Sequence, residues 1–106
     1  MTLVRYRATK EFEKYDDAMT PESTIKQWAY YMIGHYCRLE ENDCTLWGIQ
    51  RFYSLDTHYN QRAIRDNPER SKTVEVYRFI SSGLDLLIQE MLSQHLLEIE
   101  QGSASL

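Results

Sequence analysis

The sequence predicts an all-α protein, a small bundle of three to four helices with an extended N-terminal arm and a long C-terminal helix broken by a kink. Three observations carry that expectation. Apolar residues recur at spacings of three and four in successive segments, which is the period of a helix with one buried face. Glycine and proline are scarce, at four and two in 106 residues, too few for the turns of an all-β sandwich. A capping residue precedes proline twice, at Thr20-Pro21 and Asn67-Pro68, where a helix opens with its missing N–H in a harmless place.

The elements follow in order. Thr2 to Thr9 alternates weakly and has no evident second strand to pair with, so it reads as an arm. Phe12, Tyr15 and Met19 mark a short helix within Lys10–Met19. Thr20-Pro21 then opens a second helix that runs to about Arg38. Its stripe is Ile25, Trp28, Met32, Tyr36 and Leu39, with Gly34 a weak point inside it. Glu40-Glu41-Asn42-Asp43 is a turn whose Asn42 or Asp43 caps the third helix. That helix starts near Cys44 and continues to Leu55 or as far as Arg65, where Asp66-Asn67-Pro68 stops it.

The last segment, Pro68 to Glu100, would be roughly 50 Å long as one straight helix. Ser81-Ser82-Gly83 is the natural place for it to kink or break. Residues 1–101 are expected to form a single helical domain, and 102–106 (GSASL) a flexible tail.

Composition narrows the function. The chain is 42% apolar, enough for a core, and its length excludes a multidomain enzyme with its own cofactor-binding module. No run of about 18 apolar residues is present to span a bilayer, and Met1–Lys10 lacks the apolar core of a secretory leader. Cys37 and Cys44 therefore read as reduced thiols of a cytoplasmic protein, since their spacing alone does not argue for a disulfide. Net charge is −4, distributed as +3 over residues 1–10, −5 over 11–45, +2 over 46–78 and −4 over 79–106. An acidic chain does not condense on nucleic acid through its overall field, so any such contact has to be local.

Two helix faces stand out. On the last helix, Tyr77, Ile80, Leu84, Leu87, Ile88, Met91, Leu92 and Ile99 form a front stripe. Phe79, Leu86 and Leu97 form a second line nearly opposite, at spacings of seven and eleven. A helix apolar on two sides is usually sandwiched, and this short chain has few helices to cover both, so the second line is expected to be a homodimer or partner interface. On the third helix, if it is continuous, Trp47, Arg51, His58, Arg62 and Arg65 fall within about 60° of one another. Guanidinium forks beside an exposed aromatic suit the docking of an acidic protein surface or a phosphate backbone.

Catalytic and metal signals are thin. No Gly-rich phosphate loop, G-x-S-x-G or H-E-x-x-H occurs. His35, Cys37 and Cys44 make a poor metal set, because His35 and Cys37 point about 160° apart on a helix and no fourth ligand accompanies them. His95 falls in the front stripe and reads as a neutral core histidine. Asp56 lies on an apolar side and would need a buried partner such as His35, His95 or a tyrosine hydroxyl. The eight tyrosines are expected to fill the shell of a small core.

No catalytic residue, metal or cofactor is expected. The function expected is protein binding, as an adaptor, inhibitor or regulatory subunit and as a homo-oligomer. The alternative is a nucleic-acid-binding regulator that adds Arg5, Arg7 and Lys10 to the Trp47–Arg65 face.

Overall fold

The central helix, α1 (Ile25–Arg38), starts at a two-way cap. The Thr24 hydroxyl accepts from the Gln27 N–H at 3.1 Å, and the Gln27 side chain accepts from the Thr24 N–H at 2.8 Å. This capping box displaces the start expected at Thr20-Pro21. There the Thr20 hydroxyl instead accepts from Glu22 N–H within a turn that closes from Ser23 N–H to Thr20 C=O. The computed structural model describes residues 4–54 and 70–100, and the 102–106 tail lies outside them.

Around α1 the described elements run β1 (Tyr6–Ala8), a 3-10 helix (Lys10–Tyr15), α1, α2 (Leu46–Phe52), α3 (Arg70–Ser82), α4 (Leu84–Ser93) and β2 (Leu97–Ile99). The protein is mostly helical, with one small antiparallel sheet. α1 buries Ala29, Tyr30, Ile33, Gly34, Tyr36 and Cys37. Of the expected stripe only Tyr36 is fully covered, while Ile25, Trp28 and Met32 are partly so and Leu39 is half exposed beyond the helix end. The buried arc is turned because β1 and the 3-10 helix press on one flank of α1 and α3 on another. Gly34 is a packing device here. A Cβ at that position would sit 2.0 Å from Cε2 of Phe12, whose ring is completely buried against α1.

The N-terminal arm is a strand. Tyr6, Arg7 and Ala8 pair with Ile99, Glu98 and Leu97, and Arg5–Glu100 (2.8 Å) and Arg7–Glu98 (2.6 Å) add ion pairs across the ladder. On the other edge of β1, Tyr6 N–H donates to Cys44 C=O at 2.8 Å and Arg5 bridges Thr45.

The long C-terminal helix is two helices and a strand. It breaks where Ser81-Ser82-Gly83 lies, with Gly83 at the N-cap of α4. The Ser81 and Ser82 hydroxyls donate back to the Tyr77 and Phe79 carbonyls, at 2.6 and 3.1 Å. α4 then ends in a Schellman arrangement. Leu96 N–H reaches Met91 C=O at 2.8 Å and His95 N–H reaches Leu92 C=O at 3.1 Å, with His95 in the left-handed region at φ 60°. His95 is thus an exposed cap residue and not a core histidine. The chain reverses there, and Leu96 and Leu97 enter the core beside Met91, Ile88, Leu87 and Ile80.

Candidate docking face

α2 is placed by bonds around it more than by its own length. Thr45 caps it, accepting from Gly48 N–H at 3.1 Å and donating to an Asp43 carboxylate oxygen at 2.9 Å. The cap therefore falls two residues later than Asp43. Gly48 is required by close approach, since a Cβ there would meet the Asp43 carbonyl oxygen at 1.9 Å. The preceding turn is pinned by Asn42 Nδ2 donating to Tyr36 C=O (2.9 Å), Tyr36 OH donating to Asp43 C=O (3.1 Å) and Arg5 donating to the Glu40 and Asn42 carbonyls. At the far end Tyr53 OH donates to Met32 C=O at 2.6 Å, and burial pushes the Tyr53 hydroxyl far above the usual tyrosine range.

Cys37 and Cys44 are joined by a disulfide with Cα atoms 5.4 Å apart. The reading as reduced thiols is corrected: the 39–43 turn folds the chain back and brings the two Cβ atoms together, which sequence spacing does not reveal. The metal set of His35, Cys37 and Cys44 falls with it. His35 lies exposed on α1, with Nε2 2.9 Å from the Tyr31 hydroxyl.

Held this way, α2 buries Gly48 and Ile49 and turns Trp47 and Arg51 outward, with Trp47 67% exposed. His58, Arg62 and Arg65 lie outside the described residues, as does Asp56. The helix expected to run from near Cys44 to Leu55 or Arg65 is shorter: α2 ends at Phe52, with Tyr53 at its C-cap and Ser54 already outside the helix. Of the second apolar line, Leu86 is 72% exposed and Phe79 is 37% exposed, but Leu97 is 1% exposed, within β2. Leu97 is therefore a core residue and not an interface residue. The break at Gly83 and the turn at His95 destroy the single helical phase on which the three-residue line depended.

Leu86 instead shares a depression with α2. It lines a cleft of about 330 Å³ whose other wall is Leu46 and Gln50, with the Ser81–Asp85 joint between them. Trp47 adjoins Leu46 and lies one helical turn from Gln50. Of the two most exposed large apolar side chains, Leu86 lines this cleft and Trp47 stands on the helix that supplies its Leu46 and Gln50. Arg51 on α2 and Asp85 on α4 are both exposed, and among the described residues neither is in an ion pair. No family model, no curated protein and no solved structure matches this chain.

Sequence reasoning did not join Leu86 to α2, because the phase of α4 relative to α3 is set by the Gly83 break. Leu39 and Ile99, expected on buried stripes, are each about half exposed, Leu39 past the end of α1 and Ile99 in β2, and Phe52 is exposed as well. Elsewhere four ion pairs are formed among the described residues. Arg5 and Arg7 are tied to Glu100 and Glu98, Arg38 to Asp16 at 2.9 Å, and Lys26 to Glu90 at 2.9 Å. The Tyr30 hydroxyl donates to Glu90 at 2.6 Å, and burial, then that carboxylate, pushes its pKa up to about 12. No helix among the described residues is long and apolar enough to cross a membrane.

Proposed function

We propose that this chain works without chemistry of its own, as an adaptor, inhibitor or regulatory subunit that docks another protein on the cleft between α2 and the α3–α4 joint. The observation that carries the reading is the exposure of two large apolar side chains, Trp47 on α2 and Leu86 on the cleft itself. Interfaces gain most of their energy from a few large anchors seated in such depressions, with tryptophan the commonest of them. Arg51 and Asp85 supply opposite charges at the rim, where they set orientation more than affinity. A second copy of the chain is one partner with matching chemistry, because each copy carries both an exposed cation, Arg51, and an exposed anion, Asp85.

Nucleic acid is the weaker alternative, since two of the three cations it would add, Arg5 and Arg7, already pair with acids across the sheet. The Cys37–Cys44 bridge suits an oxidising setting, so the cytoplasmic placement is not carried forward.

The test pairs sedimentation at micromolar concentration with affinity capture, using wild type and Trp47→Ala/Leu86→Glu protein, with and without nuclease. The expected result is a dimer or a retained protein that survives nuclease and is weakened about 30-fold or more by the double variant. Binding that ignores the double variant, or that vanishes with nuclease or rising salt, overturns the proposal.

A further inference from the structure

Cys37 and Cys44 are the two cysteines of the chain, so their bridge has no third thiol to exchange with and alternates between two covalent states. It lies at the joint between a long helix and a short one. Cys37 is in the last turn of α1, which has six buried residues of its own. Cys44 directly precedes the Thr45 cap of α2, whose seven residues bury only Gly48 and Ile49. A helix that short depends on its surroundings, and the bridge is its one covalent tie besides the main chain.

Two further observations suit this bridge to being opened and remade. A cleft of about 280 Å³ lies between β1, the 3-10 helix and the end of α1, and Cys37 lines it together with Tyr6, Thr9, Arg38 and Glu40. Cys37 keeps 4% of its surface in solvent and Cys44 keeps 1%. Exchange depends on access to a sulfur, so a small thiol meets Cys37 first. The second observation is that the two backbones are held separately. Cys37 is fixed by α1, while the Cys44 carbonyl accepts from Tyr6 N–H in β1 at 2.8 Å. The thiols therefore stay near each other after reduction, and the short loop between them closes again at little entropic cost. That one hydrogen bond keeps Cys44 within reach of Cys37 but does not fix the helix that follows.

We infer that Cys37–Cys44 is a reversible thiol–disulfide switch on α2, opened by a small dithiol reductant that attacks Cys37 from this cleft. One thiolate of the dithiol bonds to Cys37 Sγ, the bond between the two Sγ atoms breaks, and Cys44 leaves as a thiolate that takes up a proton. The second thiolate of the reductant then closes onto the first and expels Cys37, which is protonated in turn. Two electrons and two protons pass to the protein, and the reductant becomes a cyclic disulfide. With the bridge open α2 loses part of its frame, and Leu46 and Gln50 no longer hold one wall of the docking cleft. The consequence for docking rests on the function proposed above, whereas the release of α2 does not.

The test treats folded wild-type protein with dithiothreitol, alkylates at intervals and counts the thiols by mass spectrometry. Attack through the cleft gives a rate that is flat up to about 1 M urea, whereas reduction through global unfolding rises about fivefold or more over that interval. In hydrogen exchange, the α2 amides are expected to open at least about tenfold faster in reduced than in oxidised protein, while Ala29 to Ile33 change by less than about twofold. Oxidised dithiothreitol should restore the slow exchange. Partner capture and self-association should be lost on reduction and regained on reoxidation. A rate that climbs with urea overturns attack on the folded protein, and α2 amides equally protected in both states overturn the switch. Binding that persists after α2 has opened overturns the control of docking. If neither redox state retains a partner, the docking reading fails by itself, and exchange at the α2 amides still decides the switch.

Discussion

α1 and α2 are joined by one disulfide and are built on opposite terms. α1 has fourteen residues, buries six, and is clasped by β1, the 3-10 helix and α3. α2 has seven residues, buries two, and leaves its largest side chain in solvent. A seven-residue helix does not persist alone in water, since isolated helices are marginal even at about 12–15 residues. What holds α2 is its frame: the Thr45 cap, the Cys37–Cys44 bridge, the Cys44 carbonyl on β1 and the Tyr53 hydroxyl on α1. One helix is stabilised by what it buries. The other is fixed from outside, which leaves its outer face free of any packing duty.

The largest expected effect tests that contrast directly. Ile33 is completely buried on α1, so Ile33→Ala should destabilise the protein by about 2–5 kcal/mol through lost burial and the cavity left behind. Trp47→Ala removes a larger side chain yet should change stability by no more than about 0.5 kcal/mol, because the ring contacts little of its own chain. Urea unfolding of the two variants measures both. A Trp47→Ala loss comparable to that of Ile33→Ala would make α2 part of the core and dissolve the distinction.

The contrast was only half legible in the sequence. The outward turn of Trp47 and Arg51 and the burial of Ile80, Leu84, Leu87, Ile88 and Met91 followed from helical period, and the break followed from the Ser81-Ser82-Gly83 run in an overlong segment. The sheet was hidden for a specific reason. Leu96 to Ile99 fits both a helix period and a short strand, and the usual marker of a helix end, glycine at the left-handed position, is replaced by His95. With β2 concealed, β1 had no visible partner and read as an arm. The bridge was hidden because it depends on how the 39–43 turn folds back, a matter of three-dimensional geometry. The cap of α1 was misplaced because Thr20-Pro21 is a stronger local signal than Thr24, until Gln27 is seen to close the box.

Removing the bridge should come next in size. Cys37 and Cys44 are seven positions apart, and closing so short a loop is worth about 2.5 kcal/mol on the chain-entropy account. The sharper readout is where the loss appears. Hydrogen exchange on Cys37→Ala/Cys44→Ala protein should show the α2 amides opening well before those of Ala29 to Ile33, which have core contacts independent of the bridge. Equal loss of protection in both helices would show the disulfide to be a global staple and not the frame of α2.

The smallest effect concerns the polar clamp that α1 has and α2 lacks. Glu90 on α4 accepts from the Tyr30 hydroxyl at 2.6 Å and from Lys26 at 2.9 Å, and both bonds, the tyrosine first, hold its carboxyl below the ordinary value of 4.5. A depressed carboxyl stabilises the fold above its unfolded pKa, and that contribution is lost as pH falls through the lower folded value. Tyr30 mirrors it from the other side. Its neutral hydroxyl is favoured, so its contribution is present below the ordinary tyrosine pKa of 10.0 and disappears as pH rises through about 12. The α1–α4 clamp is therefore tightest across the range between those limits. Glu90 is open to solvent, and screening keeps its share of stability small. Glu90→Gln should flatten part of the acid limb of a Tm–pH curve, leaving the remainder to Asp16, which Arg38 holds low in the same way. The bond from Tyr53 to the Met32 carbonyl involves no carboxylate, so Glu90→Gln should leave the protection of the α2 amides at each pH as in wild type. A Glu90→Gln protein that loses stability in acid as steeply as wild type would place the sensitivity elsewhere and leave the two helices alike in their response to pH.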